Sequence, residues 1–92
     1  MKFKDKTVIV SGGSRGIGLA IARKLAQNGA NIVIAAKTVS PHKKLPGTIY
    51  TAAKEIESLG ANCLPIQCDI RFEDQVSNVV DLSVKEFGGI DI

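Results

Sequence analysis

The chain has 92 residues, 45% of them apolar and 23% charged, with a net charge of +3. That is enough for one small soluble domain, which buries only ~60–65% of the surface its unfolded form exposes. Scattered lysines and only four aromatic residues exclude a base-stacking nucleic-acid platform, and no stretch nears the ~20 apolar residues of a membrane span.

The charged start, MKFKDK, is followed by an apolar run of only Val8–Val10, too short for a secretory signal. Thr7–Val10 is β-branched and ends at a glycine cluster, which predicts a buried parallel strand. From Ile17 the period changes. Ile17, Ala20, Ile21 and Leu25 fall at i, i+3, i+4 and i+8, which predicts a helix with those four as its buried stripe and Lys24 at the stripe's edge. Gly29 is its stop signal. Ile32–Ala36 reads as a second buried strand, and KTVSPHKKLPG as a loop broken by Pro41, Pro46 and Gly47.

Thr48 can cap the next helix, whose stripe is Ile49, Ala52, Ala53, Ile56 and Leu59, with Gly60 as its end. A third strand follows around Cys63–Cys68. Pro65 inside it cannot donate to a ladder, so this strand belongs at a sheet edge. The two cysteines are five apart and point to opposite faces of the strand. With no His or Cys at ligand spacing, they are free thiols of a reducing compartment rather than a metal site. A third helix places Val76, Val79, Val80, Ser83 and Phe87 on one side and stops at Gly88. Ile90–Ile92 reads as the start of a fourth strand that is cut off.

The order β-α-β-α-β-α-β requires parallel strands joined by crossovers. The fold class is therefore α/β, the first half of a doubly wound parallel sheet, truncated at strand 4. In a 3-2-1-4 strand order the third strand lies outermost, which is where Pro65 fits.

The loop SGGSRGIG, Ser11–Gly18, joins the first strand to the first helix. A helix N-terminus carries unpaired N–H groups and partial positive charge, so it stabilises a phosphate that the backbone lets approach. Gly12 suits the tight turn, Gly16 the close approach and Gly18 close packing of the helix on the strand, the division of labour of a Rossmann-type dinucleotide loop. The spacing is G-x-x-x-G-x-G. No Lys-Ser/Thr follows, which excludes a P-loop NTPase.

This loop resembles the T-G-x-x-x-G-x-G motif of the short-chain dehydrogenase/reductase family, with Ser11 replacing threonine but keeping a hydroxyl. Cys68–Ile70, CDI, is similar to the family's third-strand end, whose aspartate contacts adenine, and GGIDI to the approach to its fourth strand. The resemblance spans essentially the whole chain, and the AAKT…PH…LPGTIY loop is similar to one branch of the family. It implies that Gly12, Gly13, Ser14, Arg15, Gly16, Ile17 and Gly18 cradle the cofactor and that Asp69 meets its adenine.

Cofactor choice follows from charge. An acidic residue ~20 residues past such a loop takes the ribose 2′-OH of NAD, whereas a basic one accommodates the 2′-phosphate of NADP. Here Ala36 occupies the acid's place and Lys37 follows. Arg15 and Lys37 are thus two cations aimed at one anion, and the expected cofactor is NADP. His42, Lys43 and Lys44 in the following loop read as solvated.

Tyr50–Lys54 spells the family's catalytic Y-x-x-x-K. It stands on the helix between strands 2 and 3, whereas the resemblance puts that pair after strand 4. Tyr50 therefore reads as a packing residue and Lys54 as a solvated one. The catalytic tyrosine, lysine, serine and asparagine are all expected after Ile92, so no catalytic residue and no metal site is assigned within residues 1–92.

The expected function is that of the NADP-binding part of an oxidoreductase that moves a hydride between the nicotinamide and a carbonyl/alcohol substrate. These 92 residues alone are expected to be inactive. The alternative is a non-catalytic nucleotide-binding or interaction module that ends at Ile92. The apolar, uncapped end GGIDI favours truncation. The resemblance further implies a homo-oligomer when full length and a cytoplasmic location, with the peroxisome as the eukaryotic alternative.

Overall fold

The structure, a computed structural model, describes residues 3–37 and 47–92. His42, Lys43, Lys44, Pro41 and Pro46 lie outside the described residues. Six elements alternate along the chain: β1 (Thr7–Ser11), α1 (Gly16–Gln27), β2 (Asn31–Ala36), α2 (Ile49–Glu57), β3 (Cys63–Gln67) and α3 (Glu73–Phe87).

The strands are parallel, with β2 between β1 and β3. Thr7 pairs with Asn31 and Ser11 with Ala35, and Ile32 pairs with Cys63. The central position of β2 explains its sequence. NIVIAA is a continuous apolar run because both of its faces are covered. Even-numbered Ile32, Ile34 and Ala36 join Val8, Ala22, Ala26, Ile49 and Ile56 in one core cluster under α1 and α2. Odd-numbered Val33 and Ala35 join Ile66, Cys68 and Val79 in a second cluster under α3. The sheet is therefore wound on both faces, as the sequence predicts. Cys63 packs against the first cluster and Cys68 within the second, so the thiols do lie on opposite faces.

β3 is the sheet edge among the described strands, and Pro65 sits there opposite Ile34. The predicted fourth strand is present in its hydrogen bonds without reaching the extent of a strand. Asp91 and Ile92 donate their backbone N–H groups to Thr7 O (2.9 and 3.2 Å), and Ile9 donates to Ile92 O (2.9 Å). The Asp91 carboxylate accepts from the Thr7 N–H at 2.9 Å. These bonds lie on the side of β1 away from β2, as a 3-2-1-4 order requires.

α2 follows its sequence closely. Ile49, Ala52, Ala53 and Ile56 are buried. Thr48 caps it through a reciprocal pair with Thr51, each backbone N–H donating to the other's hydroxyl (3.1 and 2.9 Å). Such a cap contributes about 1 kcal/mol.

α1 departs from its predicted stripe. Ile17 is 81% exposed, Ile21 49%, and Ala20 is exposed too. Only Leu25 of the four packs on the core. The buried face instead carries Gly18, Ala22 and Ala26, spaced by four. The cause is proximity. A Cβ on Gly18 would come within 2.5 Å of Gly12 O. At that contact no side chain fits; Ala22 and Ala26 continue the line into the core beside the partly buried Leu19 and Leu25, and Ile17 and Ile21 are turned outward.

In α3, Val79 and Ser83 are buried, with the Ser83 hydroxyl donating to Val79 O at 2.6 Å. Phe87 packs partly against the second cluster. Val76 and Val80 are exposed, contrary to the predicted stripe. The line that meets the sheet is Val79, Ser83 and Phe87, four residues apart, and Val76 and Val80 flank it on the outer side.

Candidate functional site

A cleft of about 470 Å³ opens where the C-terminal ends of all three strands meet. In a parallel sheet every strand delivers its following loop to this side, so residues far apart in sequence converge. Ser11 ends β1, Gly12, Ser14 and Arg15 come from the loop after it, Ala35–Lys37 from the end of β2, and Cys68–Arg71 from the turn after β3.

Of the residues singled out from sequence, Gly12, Ser14, Arg15, Lys37 and Asp69 line this cleft. Gly13 lies beneath it, where a Cβ would come within 2.8 Å of Ile34 Cδ1. Gly16, Ile17 and Gly18 form the first turn of α1 rather than the cleft wall. Gly12 and Gly16 adopt φ of +67° and +63°, the left-handed region in which a side chain is strained, and nothing lies within 4 Å of either missing Cβ. Gly18 packs on the Gly12–Gly13 turn rather than on the strand itself.

The residues fit a dinucleotide phosphate. α1 has no acidic residue in its first turn, and its N-cap, Arg15, makes no side-chain capping bond. The first-turn N–H groups are therefore not filled by a side chain of the chain's own helix start, and they favour an anion. Ala36 is 8% exposed and closes the end of β2 without a carboxylate.

Asp69 is the acidic group of the cleft, and it is paired. Arg71 holds it with Nη2–H donating to Oδ2 at 2.7 Å and Nε–H to Oδ1 at 3.0 Å. The backbone N–H of Arg71 adds a bond to Oδ1 at 3.0 Å. The Asp69 N–H in turn donates to Gln75 Oε1 at 2.7 Å, tying the turn to α3. The Arg71 bonds hold the Asp69 carboxyl down at about 2, with lesser help from the charge of Lys37. The same pairing raises the Arg71 guanidinium above its ordinary value. The sequence reading missed Arg71. The signal was available in CDIR, an arginine two residues past an aspartate at a strand end.

A folded-state carboxyl that titrates below its ordinary 3.8 contributes stability above that value and loses it as pH falls through about 2. The charge-linked part of the stability difference between wild type and Asp69→Asn is therefore constant above ~pH 5 and falls progressively to nothing near ~pH 1. Thermal unfolding of both proteins across that range checks it, and a difference independent of pH would contradict it.

Burial pushes the Cys63 thiol up to about 12, with the nearby Glu57 charge adding to the effect, and burial also raises Cys68. Both are free and protonated at neutral pH. No group of His, Cys, Asp or Glu suited to a metal occurs among the described residues. No helix among them is long and apolar enough to cross a membrane. Tyr50 and Lys54 stand outside the cleft. Tyr50 is 53% exposed, so it is not the packing residue that its apolar neighbours suggest. It lies one position off the buried face set by Ile49 and Ala53.

The family described as short chain dehydrogenase matches residues 6–92. Hydroxysteroid dehydrogenase-like protein 2 of Danio rerio is 60% identical over 99% of this chain, and that of Homo sapiens 62% identical over 94%. The chain spans about a fifth of those relatives, 22% and 21% of their lengths. A short chain dehydrogenase from Mycobacterium thermoresistibile superposes with a TM-score of 0.92 at 58% identity, over 97% of this chain and 32% of that one. A metagenomic short-chain oxidoreductase solved in complex with NADP gives 0.85 at 28% identity, over 100% of this chain and 38% of that one.

Proposed function

Because the chain belongs to the short chain dehydrogenase family, we propose that residues 1–92 are the NADP-binding part of an oxidoreductase that interconverts a carbonyl and an alcohol. NADP supplies the hydride-carrying nicotinamide. The chain's own residues bind and orient it. The first turn of α1, Gly16–Gly18, receives the pyrophosphate, with Gly12, Gly13 and Ser14 shaping the turn and Ile17 beside it. Arg15 and Lys37 receive the 2′-phosphate, and Asp69 accepts from the adenine amino group.

The observation that carries this reading is the end of β2. Ala36 stands where an NAD-binding acid would, while Lys37 and Arg15 line the same cleft. The remaining carboxylate there, Asp69, has its charge balanced by Arg71. The NADP complex of the metagenomic relative is consistent with it. The rest of the protein carries the acid/base groups, the small-molecule site and the oligomer contacts in this proposal. The compartment proposed is the cytoplasm, or the peroxisome in a eukaryotic full-length protein.

Isothermal titration of the full-length protein with NADPH and NADH tests the choice of cofactor. NADPH binds at least about tenfold more tightly, one charge-assisted hydrogen bond's worth of preference. Equal or inverted affinities overturn it.

A further inference from the structure

A carboxylate offers about four acceptor sites, two on each oxygen. At Asp69 one neighbour fills three of them. Oδ1 accepts the Arg71 backbone N–H and Nε–H, both at 3.0 Å, and Oδ2 accepts Nη2–H at 2.7 Å. The Nε contact to Oδ2, 3.2 Å, is the weaker arm of a shared hydrogen. Oδ1 is saturated, and a single acceptor site is left, on Oδ2. The carboxylate side chain is only 14% exposed, whereas Arg71 is 72% exposed. Asp69 and Arg71 both line the cleft. The Arg71 guanidinium also lies 5.7 Å from the Phe72 ring centroid, a contact that helps fix its plane.

We propose that Arg71 is a specificity-determining residue that makes the cleft an adenine site and not a guanine site, by occupying Oδ1 of Asp69. This rests on the reading of Asp69 as the base contact. An exocyclic amino group presents one N–H to one free acceptor, which matches the Oδ2 site. The guanine edge presents an N–H and an amino group side by side and needs two oxygens at once. An unpaired carboxylate supplies both, and one held by Arg71 does not. Hypoxanthine puts a carbonyl where adenine has the amino group, so the Oδ2 site meets an acceptor there, and its ring N–H lies one position away. Discrimination here arises from a contact within the protein that withdraws the wrong partner's acceptor. Arg71 is thus a positioning residue for Asp69 and touches the base only through it.

The probes are NADP+ and its hypoxanthine and guanine counterparts, titrated into the full-length wild type, Arg71→Met and Arg71→Lys. Methionine keeps the backbone N–H to Oδ1 and the length of the side chain but opens one acceptor on each oxygen. Lysine restores a single donor. Wild type prefers adenine to guanine, the ratio falls by about tenfold in Arg71→Met, and Arg71→Lys lies between. Arg71→Met also leaves the Asp69 charge unbalanced, so the base ratio is read within the NADP+ series, whose 2′-phosphate is common to all the probes. A loss of affinity equal for all bases would mark a merely structural role and overturn the proposal, as would a wild type indifferent to the base. Failure of the wild type to bind any of the dinucleotides would instead overturn the cofactor reading beneath it. Should Arg71→Met not fold, the Arg71→Lys ratio decides alone.

Discussion

Replacing Arg15 and Lys37 together with alanine lowers NADPH affinity about a hundredfold and leaves NADH within about threefold of wild type. The magnitude follows from two charge-assisted hydrogen bonds at ~1.5 kcal/mol each, the low end because Lys37 is exposed to water. Together they give ~3 kcal/mol, about two powers of ten. NADH lacks the third phosphate, so it loses only the weaker long-range attraction of a cleft that is net positive. The single variants sharpen the test. If each cation makes its own bond to that phosphate, each variant alone weakens NADPH about tenfold, and the double-mutant cycle closes to within ~0.5 kcal/mol. Isothermal titration of the four proteins with both cofactors measures it. Equal losses for NADPH and NADH would show that the pair serves the pyrophosphate or general charge, not the 2′-phosphate.

The features that could be read from sequence are those set by local chemistry. Thr48 as a cap, the α2 stripe, Pro65 at a sheet edge and the tight turn at Gly12 each depend on a few neighbouring residues. The convergence of Arg15, Lys37 and Asp69 also followed, because a parallel sheet brings all three strand ends to one side. What could not be read depended on distance between elements. The stripe of α1 was misassigned because large apolar residues outweigh small ones in any periodicity. Burial here was decided by which face the close approach at Gly18 turns toward the sheet, and Ala22 and Ala26 continue that face into the core. The Val76 and Val80 positions failed for a related reason, since period alone does not say how wide a surface the helix will meet. Arg71 escaped because its role is carried by a pair, and a pairing two residues apart leaves no periodic trace.

Three glycine-to-alanine variants separate the backbone roles that one loop combines. Gly60→Ala imposes a methyl at φ +88°, in open space and away from the cleft. It costs ~1–2 kcal/mol of left-handed strain, a fall in Tm of roughly 5–10 °C, and leaves NADPH affinity unchanged. Gly16→Ala imposes a similar strain at φ +63°, again in open space, so its Tm falls by a similar amount. Its position on the first turn of α1 adds a second effect. The methyl stands where the phosphate must come close to the backbone, and affinity for NADPH and NADH falls together by at least about tenfold. Gly18→Ala differs again. Its methyl would lie 2.5 Å from Gly12 O and 3.1 Å from Gly13 Cα, both backbone atoms that no rotamer change can move aside. The helix and the turn must separate, at ~1–3 kcal/mol or more for overpacking, and the turn proposed to hold the cofactor shifts with them. Gly18→Ala therefore loses both stability and affinity for both cofactors. Thermal unfolding paired with titration distinguishes the three patterns. Gly16→Ala binding as tightly as Gly60→Ala would remove the phosphate from the start of α1. Gly18→Ala with wild-type Tm would show that the close approach of helix and turn is not required.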